Sequence, residues 1–143
     1  MVLACQCVER IAHAAGEAIE AESQAKMKLA AESPESIQAA SAPMNIAYIE
    51  PDGTGVPMRA PDLEGIEGKD GKAKTREAKI GAVFSQTGLD DKGRPVRDKA
   101  STSYASAIEG KESFGLRLFT EALMRGALNA AILVFLADGA YLK

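Results

Sequence analysis

The chain has 143 residues, 46% of them hydrophobic and 26% charged, with a net charge of −3. That balance suits one soluble globular domain and argues against disorder. The longest apolar stretch, residues 126–137 with Asn129 inside it, is too short for the ~20 residues of a membrane helix. The N-terminal "MVLACQCVERIAHAAGE" has no basic flank followed by a long apolar core, so no secretory signal and a cytoplasmic location are expected.

Residues 7–31 are expected to form a helix, because Val8, Ile11, Ala15, Ala18 and Ile19 recur at steps of three and four. This helix reads equally as an arm packing on a partner, as the remnant of an upstream region, or as a plain surface helix. Cys5 and Cys7, with the single histidine His13, do not supply the four ligands of a zinc site, and reduced thiols are expected instead. One histidine with no nearby nucleophile also argues against a Ser-His-Asp or Cys-His enzyme. Residues 32–44 read as a linker, with Pro34 and Pro43 blocking helix continuation.

Residues 45–50 turn strand-like, and Pro51-Asp52-Gly53 is expected to break the strand. Residues 59–75, with Gly65, Gly68 and Gly71 among charges, read as a mobile loop. They do not match the phosphate-binding pattern G-x-x-x-x-G-K-[ST]. Residues 76–88 are a second strand, 89–95 a turn and 96–108 a third strand. A helix is expected from Glu112 to Asn129, then a strand over Ile132–Ala137 that is apolar throughout, as a strand covered on both faces should be.

The expected order is therefore helix, three strands in a meander, a crossover helix and a fourth strand. A helical crossover can lay that last strand parallel to the first. Both apolar runs then end at Asp-Gly, with Asp52 and Asp138 side by side at one sheet edge. Two close carboxylates repel unless something neutralises them, and hard oxygen ligands suit Mg2+ or Mn2+. Such ions can serve phosphodiester cleavage, and the glycine after each Asp would let a phosphate backbone come near. The bland reading is that Asp-Gly is a common turn dipeptide, and Asp70-Gly71 is read as only that. Charge is uneven as well: residues 1–50 carry 3 basic and 7 acidic side chains, and residues 69–99 carry 9 basic and 5 acidic. The basic band, with Lys69, Lys72, Lys74, Arg76 and Lys79, is either a polyanion-binding surface or a solvated hairpin.

Four segments, "YIEPDGTGVPM", "REAKIGAVF", "SYASAIEGKESFGLRLFTEALMRG" and "ILVFLADGA", resemble in order and spacing the insertion-sequence transposases of the ISKra group. "VERIAHAAGEAI" also looks like the helix preceding the core in that group. The resemblance covers about residues 8–140. It implies a DDE-type enzyme with a ribonuclease-H-like core, catalytic and metal-binding roles for Asp52 and Asp138, Mg2+ or Mn2+ as cofactor, and DNA at transposon ends as partner. It also matches Arg76, Glu77, Lys79 and Gly81 to one motif, and Phe114, Arg125 and Gly126 to another.

The departures shape the expectation. Ala137 stands where the family has glycine, "DGAYLK" stands where the family continues with Trp, and the family's third acidic residue, on a later helix, has no counterpart. The expectation is an α/β, incomplete ribonuclease-H-like core over 45–143, preceded by the 1–31 helix and the 32–44 linker. It would bind metal weakly, be inactive as an isolated fragment, and leave one sheet face poorly covered. Two alternatives remain: a non-catalytic regulatory remnant that pairs with a full-length transposase, or a haloacid-dehalogenase-like phosphatase. The latter's D-x-D-G-T signature would place Glu50 where an aspartate nucleophile is needed.

Overall fold

The structure, a computed structural model, describes residues 2–38, 44–68 and 71–138. Helix α1 (Val2–Glu32) is one residue longer at its C-terminal end than the periodicity predicts, and begins earlier. A short α2 (Pro34–Gln38) follows within the expected linker. Then come β1 (Ile46–Pro57), a 3-10 turn at Ala60–Leu63, and the two-residue strands β2 (Glu67–Gly68) and β3 (Gly71–Lys72). The long β4 (Thr75–Ser85) leads to a small hairpin of β5 (Gly88–Leu89) and β6 (Pro95–Val96). Strand β7 (Ser103–Ala107), helix α3 (Lys111–Met124), a 3-10 turn at Ala127–Asn129 and β8 (Ile132–Phe135) complete the order.

The main sheet has four strands in the order β7-β4-β1-β8. β1, β4 and β7 form the antiparallel meander, and α3 carries the chain across to β8, which lies parallel to β1. The protein is thus α/β, with an N-terminal helix and one parallel pair in a mixed sheet.

The third strand, expected over 96–108, is only Ser103–Ala107, α3 ends at Met124 rather than Asn129, and β8 at Phe135 rather than Ala137. Three further differences bear on the fold. β1 does not stop at Pro51-Asp52-Gly53, because its pairing with β4 continues unbroken to Pro57 opposite Thr75. Proline is tolerated there because of where its nitrogen points. The carbonyls of Asn45 and Ile49 accept from Ile132 and Leu136 of the β8 segment, whereas Ile46 accepts from Gln86 on the β4 side. Odd residues of β1 therefore face β8, and Pro51 lacks the N–H that would extend that ladder past Leu136. The parallel ladder ends at Ile49↔Phe135 while the antiparallel one runs on. The second difference is β8 itself, an edge strand whose Ile132, Leu133 and Phe135 are exposed. Its apolar sequence did not mark a strand covered on both faces. Third, residues 59–75 are not wholly loop, since they contain the 3-10 turn and the β2–β3 pair.

Residues in register share a face, so the odd positions of β1 and β4 look toward α3. Ala47, Ile49, Val83 and Ala105 meet Phe114, Leu118, Ala122 and Ala127 in one core. Gly81 sits beneath Leu118, and a Cβ there would lie 2.5 Å from Leu118 Cδ1. α1 reaches this body only through its C-terminal half, where Met27 and Ala30 are buried. Ser103 Oγ, next to Val83 in the ladder, is buried without a hydrogen-bond partner among the described residues. Ser103→Ala removes an unsatisfied hydroxyl, and thermal or urea unfolding should show unchanged stability or a gain of up to about 1 kcal/mol. A loss larger than that would show that the hydroxyl has a partner after all.

Candidate functional site

The outward face of the sheet carries Tyr48, Glu50 and Asp52 from β1, and Phe84, Ala82 and Ile80 opposite them on β4. At one end Tyr48 stacks on Phe84 with centroids 4.9 Å apart, and the Arg97 guanidinium lies 3.9 Å from the Phe84 ring centre. That contact is a cation–π cap that removes Phe84 from solvent. Toward the other end the face becomes acidic, and Glu50 and Asp52 carry their carboxylates there.

Asp52 lies just past the end of the parallel ladder. β1 and β8 pair at a constant offset of 86 residues (Ile46↔Ile132 to Ile49↔Phe135). The same offset separates Asp138 from Asp52, and Leu136 N–H still donates to the Ile49 carbonyl at 2.9 Å, one residue beyond the last strand pair. Asp52 lies inside β1, three residues past the last parallel pair, and Asp138 lies three residues past the end of β8; both are exposed. Open sheets bind ligands at this place, beyond the carboxyl ends of parallel strands. Asp52 Oδ1 accepts the Gly53 N–H at 2.7 Å, which fixes the carboxylate's orientation. Among the described residues, no group of three or more His, Cys, Asp and Glu is arranged to hold a metal ion.

The glycine after Asp52 has a structural reason of its own. A Cβ on Gly53 would come 2.7 Å from Glu77 Oε1, so the Glu77 side chain occupies the space that the sequence suggested for a phosphate. Gly139, its counterpart, lies outside the described residues.

The basic residues divide. Lys69 lies outside the described residues. Lys72 and Lys74 are exposed, and Arg76 is half-buried at an even position of β4, on the same face as Asp52. Lys79 is only 12% exposed; it pairs with Glu77 and donates to the Glu109 carbonyl at 2.9 Å. Its ammonium group ties β4 to the start of α3. The Arg-Glu-x-Lys-x-Gly stretch therefore has a packing role: Glu77 covers Gly53, Lys79 binds Glu109, and Gly81 receives Leu118.

Sequence reasoning missed two polar centres. Arg117 spreads its N–H groups over three partners: to Glu109 from Nε (2.8 Å) and Nη2 (3.1 Å), to Glu20 from Nη1 (3.1 Å) and Nη2 (2.8 Å), and to Ser23 Oγ from Nη1 (2.6 Å). Arg117 holds the carboxyls of Glu20 and Glu109 below the ordinary 4.5. The same ion pairs, that with Glu109 first, raise the guanidinium's own pKa further. The signal was present as Ser113 and Arg117, i and i+4 on α3, with Glu109 just ahead of the helix start. The second centre is Asp98, which accepts from Ser85 Oγ (2.6 Å), Thr87 Oγ1 (2.7 Å) and Thr87 N–H (3.1 Å). These bonds, Ser85's first, lower its pKa from the ordinary 3.8. Neither centre includes either aspartate of the pair; the first ties α1 and the turn before α3 to α3, and the second ties the segment after β6 to the end of β4.

No family model, curated protein or solved structure matches the chain. Among the described residues, no helix is long and apolar enough to cross a membrane.

Proposed function

We propose that this chain is a segment of a DDE-type transposase catalytic core with a ribonuclease-H-like arrangement. Its Asp52 and Asp138 would hold divalent metal for cutting and joining DNA. The observation that carries the reading is the parallel pairing of β1 with β8 at an 86-residue offset, the same offset that separates Asp52 from Asp138 in the sequence. The sheet order, with β1 inside and β8 reached through α3, supports the ribonuclease-H-like topology.

The donor set suits Mg2+ or Mn2+, which bind through one or two carboxylates together with water and substrate phosphates. Bound there, the ions would supply positive charge to a phosphodiester displacement. The chain's own contribution is position: the Gly53 N–H orients one oxygen of Asp52, and β8 brings its C-terminal end beside β1. Arg76 places a cation on the same face, where a DNA phosphate would approach. Two carboxylates alone bind such ions weakly, so the isolated chain should show no rapid cleavage.

The test is paramagnetic broadening by Mn2+ in NMR spectra. At millimolar Mn2+, the amides of Glu50, Asp52, Gly53 and residues 136–138 should broaden first, and Asp52→Asn or Asp138→Asn should abolish the selective effect. Broadening that ignores both substitutions would end the metal assignment. DNA binding has its own check. Replacing Lys72, Lys74 and Arg76 by Glu should weaken binding to duplex ends and lower the log–log salt slope by roughly 2–3, at about 0.9 for each phosphate left unneutralised. An unchanged slope would remove the basic band from the interface.

A further inference from the structure

We infer that the N-terminal half of α1 is a self-association arm, pairing antiparallel with the same segment of a second copy of this chain. The inference is independent of the transposase reading.

α1 carries two faces at different heights. Its lower half docks on its own α3 through Glu20, Ser23, Met27 and Ala30, which follow one another at steps of three and four. Residues 6–20 are all exposed and span ~22 Å at 1.5 Å per residue. Their apolar stripe does not continue the docking face. At 100° per residue, Val8, Ile11, Ala15, Ala18 and Ile19 centre roughly a quarter-turn away from the line of Glu20, Ser23, Met27 and Ala30. Val8, Ile11 and Ile19 are 67%, 70% and 68% exposed. Three large aliphatic side chains, aligned and this bare, form a stripe suited to contact.

The occupant follows from charge, size and sterics. Val8, Ile11, Ala15 and Ala18 keep a 3-4-3 spacing, as a helix-pairing seam does. The positions flanking it, Cys7, Ala12, Ala14 and Ile19, carry no charge, while Glu9, Arg10, Glu17 and Glu20 all point elsewhere. A second copy therefore meets no like charge across the seam. Set antiparallel about a twofold axis between Ile11 and Ala15, Val8 faces Ala18 of the other copy and Ile11 faces its Ala15. The twofold keeps each flank on its own side, so Cys7 lies beside Ala21 of the other copy. Each large side chain meets a small one, which is how two identical stripes interdigitate without voids. The opposite, parallel arrangement would drive the two globular bodies together at the same end, and it would align the helix dipoles unfavourably.

Sedimentation equilibrium tests this on the whole chain. The average mass should rise from one chain toward two between about 5 and 500 µM, as for an interface at the small end of the stable range. Ile11→Glu should hold the protein at one chain throughout, with its melting curve at low concentration unchanged because Ile11 stands clear of the body. Orientation is read by crosslinking in a Cys5→Ser background: Ala21→Cys, exposed on the same flank, should join to Cys7 of the second copy under a mild oxidant. A single-chain mass over the whole range would overturn the inference, as would association undiminished in Ile11→Glu. Crosslinks dominated by Cys7 to Cys7 would overturn the antiparallel arrangement.

Discussion

Arg117→Ala is expected to destabilise the fold by about 3 kcal/mol, because removing one member of a largely buried ion-pair cluster leaves the others charged and unpaired. Arg117 is 8% exposed, and Glu109 is nearly as enclosed, whereas Glu20 is about half open to water. The loss on the Glu109 side therefore dominates, and the Glu20 pair adds little through solvent screening. In a chain of this length the melting temperature should fall by roughly 10 °C. Arg117→Lys keeps a charge but loses the planar fork that reaches Glu109, Glu20 and Ser23 together, so it should recover only part of the loss. A melting point within ~2 °C of the parent for Arg117→Ala would show that the cluster is solvated rather than structural.

The same cluster sets an acid limit. Glu20 and Glu109 have folded-state pKa values below the ordinary 4.5. Their contribution is fully present above that value and is lost as pH falls through the lowered folded values. Stability should thus decline steadily below about pH 4.5, since the unfolded chain binds more protons there. In Arg117→Ala the decline should be shallower, because the principal cause of both shifts is gone. It should not vanish, since Asp98 keeps its own lowered pKa through Ser85 and Thr87. Urea unfolding of both proteins at several pH values between about 3 and 6 measures the two slopes directly.

The parts of the fold that could be read from the sequence are those where local pattern and tertiary pairing agree. Residues 76–85 alternate and end in an apolar run, and they form β4; residues 111–124 show helical spacing and form α3. The parallel pairing of β8 with β1 was allowed by element order, because a helical crossover can lay a strand that way. Pro51-Asp52-Gly53 was misread because turn chemistry is a local signal, while the ladder to β4 is a long-range one that the proline does not interrupt. β8 was misread because an apolar run reports a strand's composition, and only the sheet order reveals that it stands at an edge. At the candidate site, Asp52 and Asp138 were legible as a repeated pattern. The use of Lys79 was not, because a lysine's partner thirty residues away leaves no trace in its neighbours.

Gly81→Val should be at least as damaging as the loss of Arg117, at about 3 kcal/mol or more. A single Cβ at this position would already stand 2.5 Å from Leu118 Cδ1 and 2.9 Å from Cδ2. Leu118 is buried among Phe114, Ile49, Val83 and Ala105, so it has no free rotamer to retreat into. Gly81→Ala should cost about 1–2 kcal/mol, overpacking partly offset by the entropy that a mid-strand glycine gives up. Valine adds two methyl groups against the same side chain, and α3 must then lift from the sheet. Leu118→Ala removes the colliding carbons but leaves a cavity costing about 2–5 kcal/mol alone. The pair Gly81→Ala with Leu118→Ala should therefore be clearly less destabilised than the sum, since the new methyl enters the vacated space. Additivity in that cycle would mean that α3 does not rest on Gly81. The consequence reaches the aspartates, because α3 delivers the chain to β8, and Asp138 follows three residues past the end of that strand. In Gly81→Val the selective Mn2+ broadening should weaken although neither aspartate has changed.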